Sequence, residues 1–73
     1  MFHLVKQTSL GDITSIASST DKYELMDSLK NLLGDNYEIH IGNVYQSTLT
    51  LTKYKVVEEF EYFMLLKRQD VEL

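Results

Sequence analysis

The chain has 73 residues, 44% hydrophobic and 25% charged, with three glycines and no proline, cysteine or tryptophan, the composition of one small globular domain over 1–73. A domain of this size buries only about 60% of the surface of its unfolded chain, which leaves little room for a deep substrate pocket, and without cysteine there are no disulfides and no thiolate metal sites. Eleven acidic residues against seven scattered basic ones give a formal charge of −4, whose field repels phosphate backbones, so direct nucleic-acid binding is not expected.

Residues 2–7 alternate loosely between apolar and polar, Thr8-Ser9-Leu10-Gly11-Asp12 supplies turn residues, and Ile13 to Ser18 returns with β-branched side chains. The pattern predicts a hairpin over 2–18, with a short helical turn over 12–17 as the competing reading. Ser18-Ser19-Thr20-Asp21 offers four candidate N-caps, and Asp21 with Glu24 has the spacing of a capping box. Leu25, Met26, Leu29, Leu32 and Leu33 then form one stripe at a period of 3.6 residues, and Gly34 suits the left-handed position that closes a helix. A helix over 21–33 is expected.

Tyr37, Ile39 and Ile41 alternate with Glu38 and His40 as in a half-buried strand, and Gly42-Asn43 marks a reversal. A two-residue turn would throw Tyr45, Leu49 and Leu51 onto the wrong face. A three-residue loop, Gly42 to Val44, pairs Ile41 with Tyr45 and Tyr37 with Leu49 and keeps one apolar face.

From Val44 to Gln69 there is no glycine, proline or asparagine, and two readings compete. As strands, 44–54 and 57–67 would reverse around Lys53-Tyr54-Lys55, and the β-branched and aromatic content of 44–63 favours this choice. The result is an α+β domain, a small antiparallel sheet packed on one helix in the order ββαβββ. As a helix over 55–69, Val56, Val57, Phe60, Phe63 and Met64 make a stripe with acids early and bases late. Asp70-Val-Glu-Leu then becomes a last strand and the fold a ferredoxin-like βαββαβ.

No catalytic, cofactor or metal site is expected. His3 and His40 are the only histidines; a metal would need both brought together with a carboxylate such as Glu38, and each sits opposite the main apolar set, which predicts exposure. No nucleophile or second catalytic group stands near His40 in sequence. The glycines form no phosphate-cradling pattern, and Ser18-Ser19-Thr20 reads better as a cap than as an anion site.

Glu58-Glu59-Phe60-Glu61-Tyr62 is the sharpest charge feature, three carboxylates among aromatics. Phe60 to Leu66 is apolar except at Glu61, so a strand there would be apolar on both faces, whereas one helix covers only one face of a small sheet. The other face, with Phe63, Leu65 and Val57, would be an exposed apolar patch that a second copy or another protein covers. Tyr45, Tyr54 and Tyr62 are of the residue type that contributes most at such surfaces. The expected partner-binding set is therefore Tyr45, Tyr54, Glu58, Glu59, Glu61, Tyr62, Phe63 and Leu65.

Three classes of function follow in order: a non-enzymatic module that binds another protein, with a homodimer as a variant; an acidic inhibitor that occupies a basic surface of its target; and, last, a small enzyme or metal protein. The N-terminal Met-Phe-His-Leu-Val-Lys-Gln has no charged leader or cleavage site, and no run approaches the ~20 apolar residues of a membrane span, so a soluble cytoplasmic protein without membrane contact is expected. In its length and in an opening that runs through Ile16-Ala17-Ser18-Ser19 into a capped amphipathic helix, the chain resembles small uncharacterised proteins encoded by bacteriophages and prophages. The resemblance covers about the first half of the chain. It implies a context in which such proteins bind and block a host or defence protein, and it carries over no functional residue.

Overall fold

The computed structural model describes residues 1–68 and 73. Strands β1 (Phe2–Gln7) and β2 (Ile13–Ser19) form the expected hairpin. Thr8 ties its turn: the Thr8 N–H donates to the Asp12 carbonyl at 3.0 Å, and the Gly11 N–H donates to the Thr8 carbonyl at 2.9 Å. Gly11 has φ +89°, a backbone position that suits glycine. Leu4 lies opposite Ala17 and Val5 opposite Ser15, so Ile16 is an extra residue on β2, a bulge that bends this edge strand.

Helix α1 (Lys22–Leu33) starts where its caps predict. The Tyr23 N–H donates to Asp21 Oδ1 at 2.9 Å, and the rest of the capping box runs through Ser19: the Asp21 N–H donates to Ser19 Oγ, whose hydroxyl donates to Glu24 Oε2. Ser19 thus acts as a cap residue. At the other end Gly34 has φ +59° and its N–H donates to the Lys30 carbonyl at 2.8 Å.

Strands β3 (Tyr37–His40) and β4 (Val44–Ser47) pair as a hairpin. Its loop has the expected three residues, one position earlier, Ile41-Gly42-Asn43. Ile39 lies opposite Tyr45 and Tyr37 opposite Ser47, in place of the expected Ile41 with Tyr45 and Tyr37 with Leu49. Gly42 and Asn43 both take positive φ, which Asn tolerates and a β-branched Val44 resists, so the reversal centres on them. An odd loop length preserves the parity argument: Tyr37, Ile39 and Tyr45 still share a face.

Strand β5 (Lys53–Glu58) and helix α2 (Glu59–Lys67) correct both readings of the last third. The chain reverses over 48–52, not at Lys53-Tyr54-Lys55. Ser47 does what glycine or proline does elsewhere: its hydroxyl oxygen accepts from the Leu49 and Thr50 N–H groups, each at 3.2 Å, and its carbonyl accepts from Leu51 at 3.0 Å. Leu51 completes the turn at φ +61°. Residues 59–67, expected as the last strand, are helical, and residues 55–58, helical in the ferredoxin-like alternative, are strand. The final strand of that alternative lies, but for Leu73, outside the described residues.

The architecture is α+β, in the order ββαβββα, with one antiparallel sheet ordered β2-β1-β5-β4-β3. On one face, Leu25, Leu29 and Leu33 of α1 pack on Leu4, Tyr45 and Tyr54, with Phe2, Ala17, Met26, Tyr37 and Val56 around them. Each buried leucine contributes about 1.5–3 kcal/mol by leaving water. The opposite face is not open, as expected, but carries α2, which packs across β1, β5 and β2. Alternation puts His3, Val5 and Val57 on that face, and Val5 and Val57 are 0% and 2% exposed. Val57 is therefore core rather than part of an exposed patch.

Candidate functional site

Glu58 leaves β5 in extended conformation and its side chain makes no cap bond, so the strand-to-helix junction has no local capping signal. The acceptor comes from the other end of the chain: the Glu59 N–H donates to the Met1 carbonyl at 3.0 Å. Glu59 and Glu61 in the first turn and Lys67 in the last complement the helix dipole. Glu61 also receives Lys55 Nζ at 3.3 Å, which ties α2 to β5.

On its inner side α2 seats Tyr62 against His3, ring centroids 4.7 Å apart. His3, expected to be exposed, is only 14% so for this reason, whereas His40 is exposed as expected. His3 Nδ1 lies 2.9 Å from Ser15 Oγ, and the Ser15 hydroxyl donates to the Ala17 carbonyl at 3.3 Å. His3 Nε2 is buried without a hydrogen-bond partner among the described residues, 3.6 Å from Glu59 Oε1. Ser15, His3 and Glu59 thus form a chain of polar groups, but a nucleophile needs a hydroxyl facing substrate, and that of Ser15 is turned onto backbone. The seam positions α2 on the sheet.

A groove of about 490 Å³ opens where the start of α1 faces the β5–α2 junction. Phe2, Tyr45 and Val56 form its apolar floor, Tyr23 and Met26 of α1 one wall, and Phe60 of α2 another. Tyr23 and Phe60 are 67% and 77% exposed, large rings held over an apolar floor in open solvent. The charged rim is Lys22, Glu58 and Glu61, and Lys22 Nζ leans over the Tyr23 ring, 5.3 Å from its centroid. Glu61 is paired with Lys55, so Glu58 is the rim carboxylate with no ion pair among the described residues, on a chain whose net charge is −4.

The expected partner-binding residues divide between surface and interior. Glu58, Glu59, Glu61 and Phe63 are exposed around α2, and Leu65 is half-buried. Tyr45 and Tyr54 are core residues, a correction: they lie opposite each other on β4 and β5, both buried under α1, because alternation aims both at the main core. Tyr45 reaches the groove only as part of its floor. Tyr62 is occupied by His3. Tyr23, Met26, Phe2 and Phe60 are not in the expected partner-binding set, although Met26 and Phe60 stand in the apolar stripes; the available signal was Tyr23, a large aromatic off the leucine stripe of its own helix.

Among the described residues no three histidine, aspartate or glutamate side chains are grouped to hold an ion. His3 on β1 and His40 on β3 lie three strands apart, about 14 Å at ~4.8 Å per strand, too far to share one. Among the same residues no helix is long and apolar enough to cross a membrane. Comparison of the chain with protein-family models, with curated proteins and with solved structures found no match.

Proposed function

We propose that the chain is a non-enzymatic protein-binding module whose groove takes an apolar or aromatic segment flanked by lysine or arginine. The observation that carries this is the pair of exposed rings, Tyr23 and Phe60, lining one groove with apolar Phe2, Tyr45 and Val56 and with Glu58 and Glu61, on a chain of net charge −4. Apolar contact with such rings supplies affinity, and the carboxylates select basic flanks and speed encounter. In the setting that the phage resemblance implies, the module blocks a basic, apolar-centred surface of a host or defence protein. The acidic-inhibitor and binding-module classes then describe one site, with a charged rim around an apolar centre.

The test is selection of random peptides displayed against the immobilised full chain, followed by titration of the enriched peptides. The expected peptides carry aromatic or aliphatic residues beside Lys or Arg, lose at least tenfold in affinity to Tyr23→Ala, and weaken several-fold with Glu58→Gln or with added salt. Selected peptides that bind Tyr23→Ala as well as wild type, with its circular dichroism unchanged, would remove the groove as the site.

A further inference from the structure

Helix α2 has apolar residues on every side. Tyr62, Leu65 and Leu66 turn partly inward, yet Phe60 and Phe63 point outward at 77% and 59% exposure, with half-buried Met64 beside them. A surface helix ordinarily keeps its outer face polar, and one that is hydrophobic all round is a buried one. Among the described residues, nothing covers the outer face of α2 at Phe60 and Phe63.

We propose that a second copy of this chain covers it, the two α2 helices packing antiparallel about a two-fold axis at Phe63. The charges on α2 choose the occupant. Glu59 stands four residues before Phe63 and Lys67 four after, so the three share one stripe along the helix in the order acid, ring, base. Turning a second helix end over end about Phe63 sets each Glu59 at the level of the other copy's Lys67 and stacks the two Phe63 rings against each other, with each Phe60 flanking them at the level of the other copy's Leu66. The two helix dipoles also run antiparallel.

This is the isologous, self-complementary patch that a two-fold dimer requires. A parallel pairing would put acid on acid and base on base. Lys67 Nζ already lies over the Phe63 ring, 5.8 Å from its centroid, and Glu59 is 65% exposed, so each partner charge is within reach of the interface. Nine residues rise only about 13 Å, so the pairing is small, below the ~1,200 Å² of standard interfaces, and the dimer is concentration-dependent. Phe60 belongs to both surfaces, but Glu59, Phe63 and Lys67 do not line the groove, so variants at these three positions test the dimer separately from the groove.

Sedimentation velocity on the full chain, from about 10 µM to about 1 mM, the range in which small interfaces associate, is the test. The expected result is a monomer that becomes a dimer across that range, with Phe63→Asp monomeric throughout and Tyr23→Ala dimerising as wild type does. Lys67→Glu and Glu59→Lys should each weaken self-association at least tenfold, and an equimolar mixture of the two should restore it, because only the mixed antiparallel pair faces opposite charges. Circular dichroism shows whether each variant is folded. A wild-type chain that stays monomeric at the highest concentration overturns the proposal. So does a dimer untouched by Phe63→Asp, or single variants that fail to rescue each other.

Discussion

The burial of Val5 depends on α2 lying where it does, and Val5→Ala measures it. Val5 is fully buried on the sheet face that α1 does not touch. Removing its two outer methyl groups forfeits about 1.6 kcal/mol of transfer free energy at ~0.8 per buried carbon. The hole left beneath a helix that relaxes only in part adds to this, and the lower strand preference of alanine adds up to about 1 kcal/mol. The total is about 2–3.5 kcal/mol. Thr14→Ala, at an exposed β-branched position on β2, loses only the strand preference and serves as the control.

Urea unfolding followed by far-ultraviolet circular dichroism reads both variants, and Val5→Ala should fall about 2 kcal/mol below Thr14→Ala. In a chain of this length that difference corresponds to about 8–16 °C in melting temperature. It is a large fraction of the ~4–11 kcal/mol that holds such a domain together. A gap under about 0.5 kcal/mol would mean that Val5 faces water, and the reasoning that makes α2 a covering layer would fail.

Leu29→Ala, at the fully buried centre of the α1 core, should cost about 2–5 kcal/mol through a cavity, whereas Leu32→Ala on the exposed side of the same helix should cost well under 1; equal melting curves would remove the leucine stripe as the anchor. Asp21→Ala removes the acceptor of the Tyr23 N–H and should cost about 0.5–2 kcal/mol by urea unfolding, with Asp21→Asn, which keeps an acceptor, close to wild type.

Elements whose signals are local were legible in the order of residues alone. Asp21, Glu24 and Gly34 act within a turn of the residues they cap, and the leucines of α1 repeat on one period, so its limits could be read from short-range spacing alone. The β1–β2 hairpin follows for the same reason, with Gly11 and Asp12 in its turn. Parity fixed the odd loop before β4, although it could not say which three residues would fill it. The reversal over 48–52 was written in the run Ser47, Thr48, Thr50 and Thr52, a hydroxyl-based turn less conspicuous than one built on glycine.

The last third and, with it, the candidate site took shape only in the folded chain. Residues 59–67 are apolar on both a twofold and a 3.6-residue period, so hydrophobic pattern does not separate strand from helix there. The choice rests on contacts remote in sequence: the Met1 carbonyl that meets the first helical N–H, and the His3 ring that seats Tyr62. Once α2 lies on the second face, Val57 and His3 become interior and Phe60 and Phe63 exterior. The groove between Tyr23 and Phe60 then exists because two helix starts, distant along the chain, are brought together by the sheet between them.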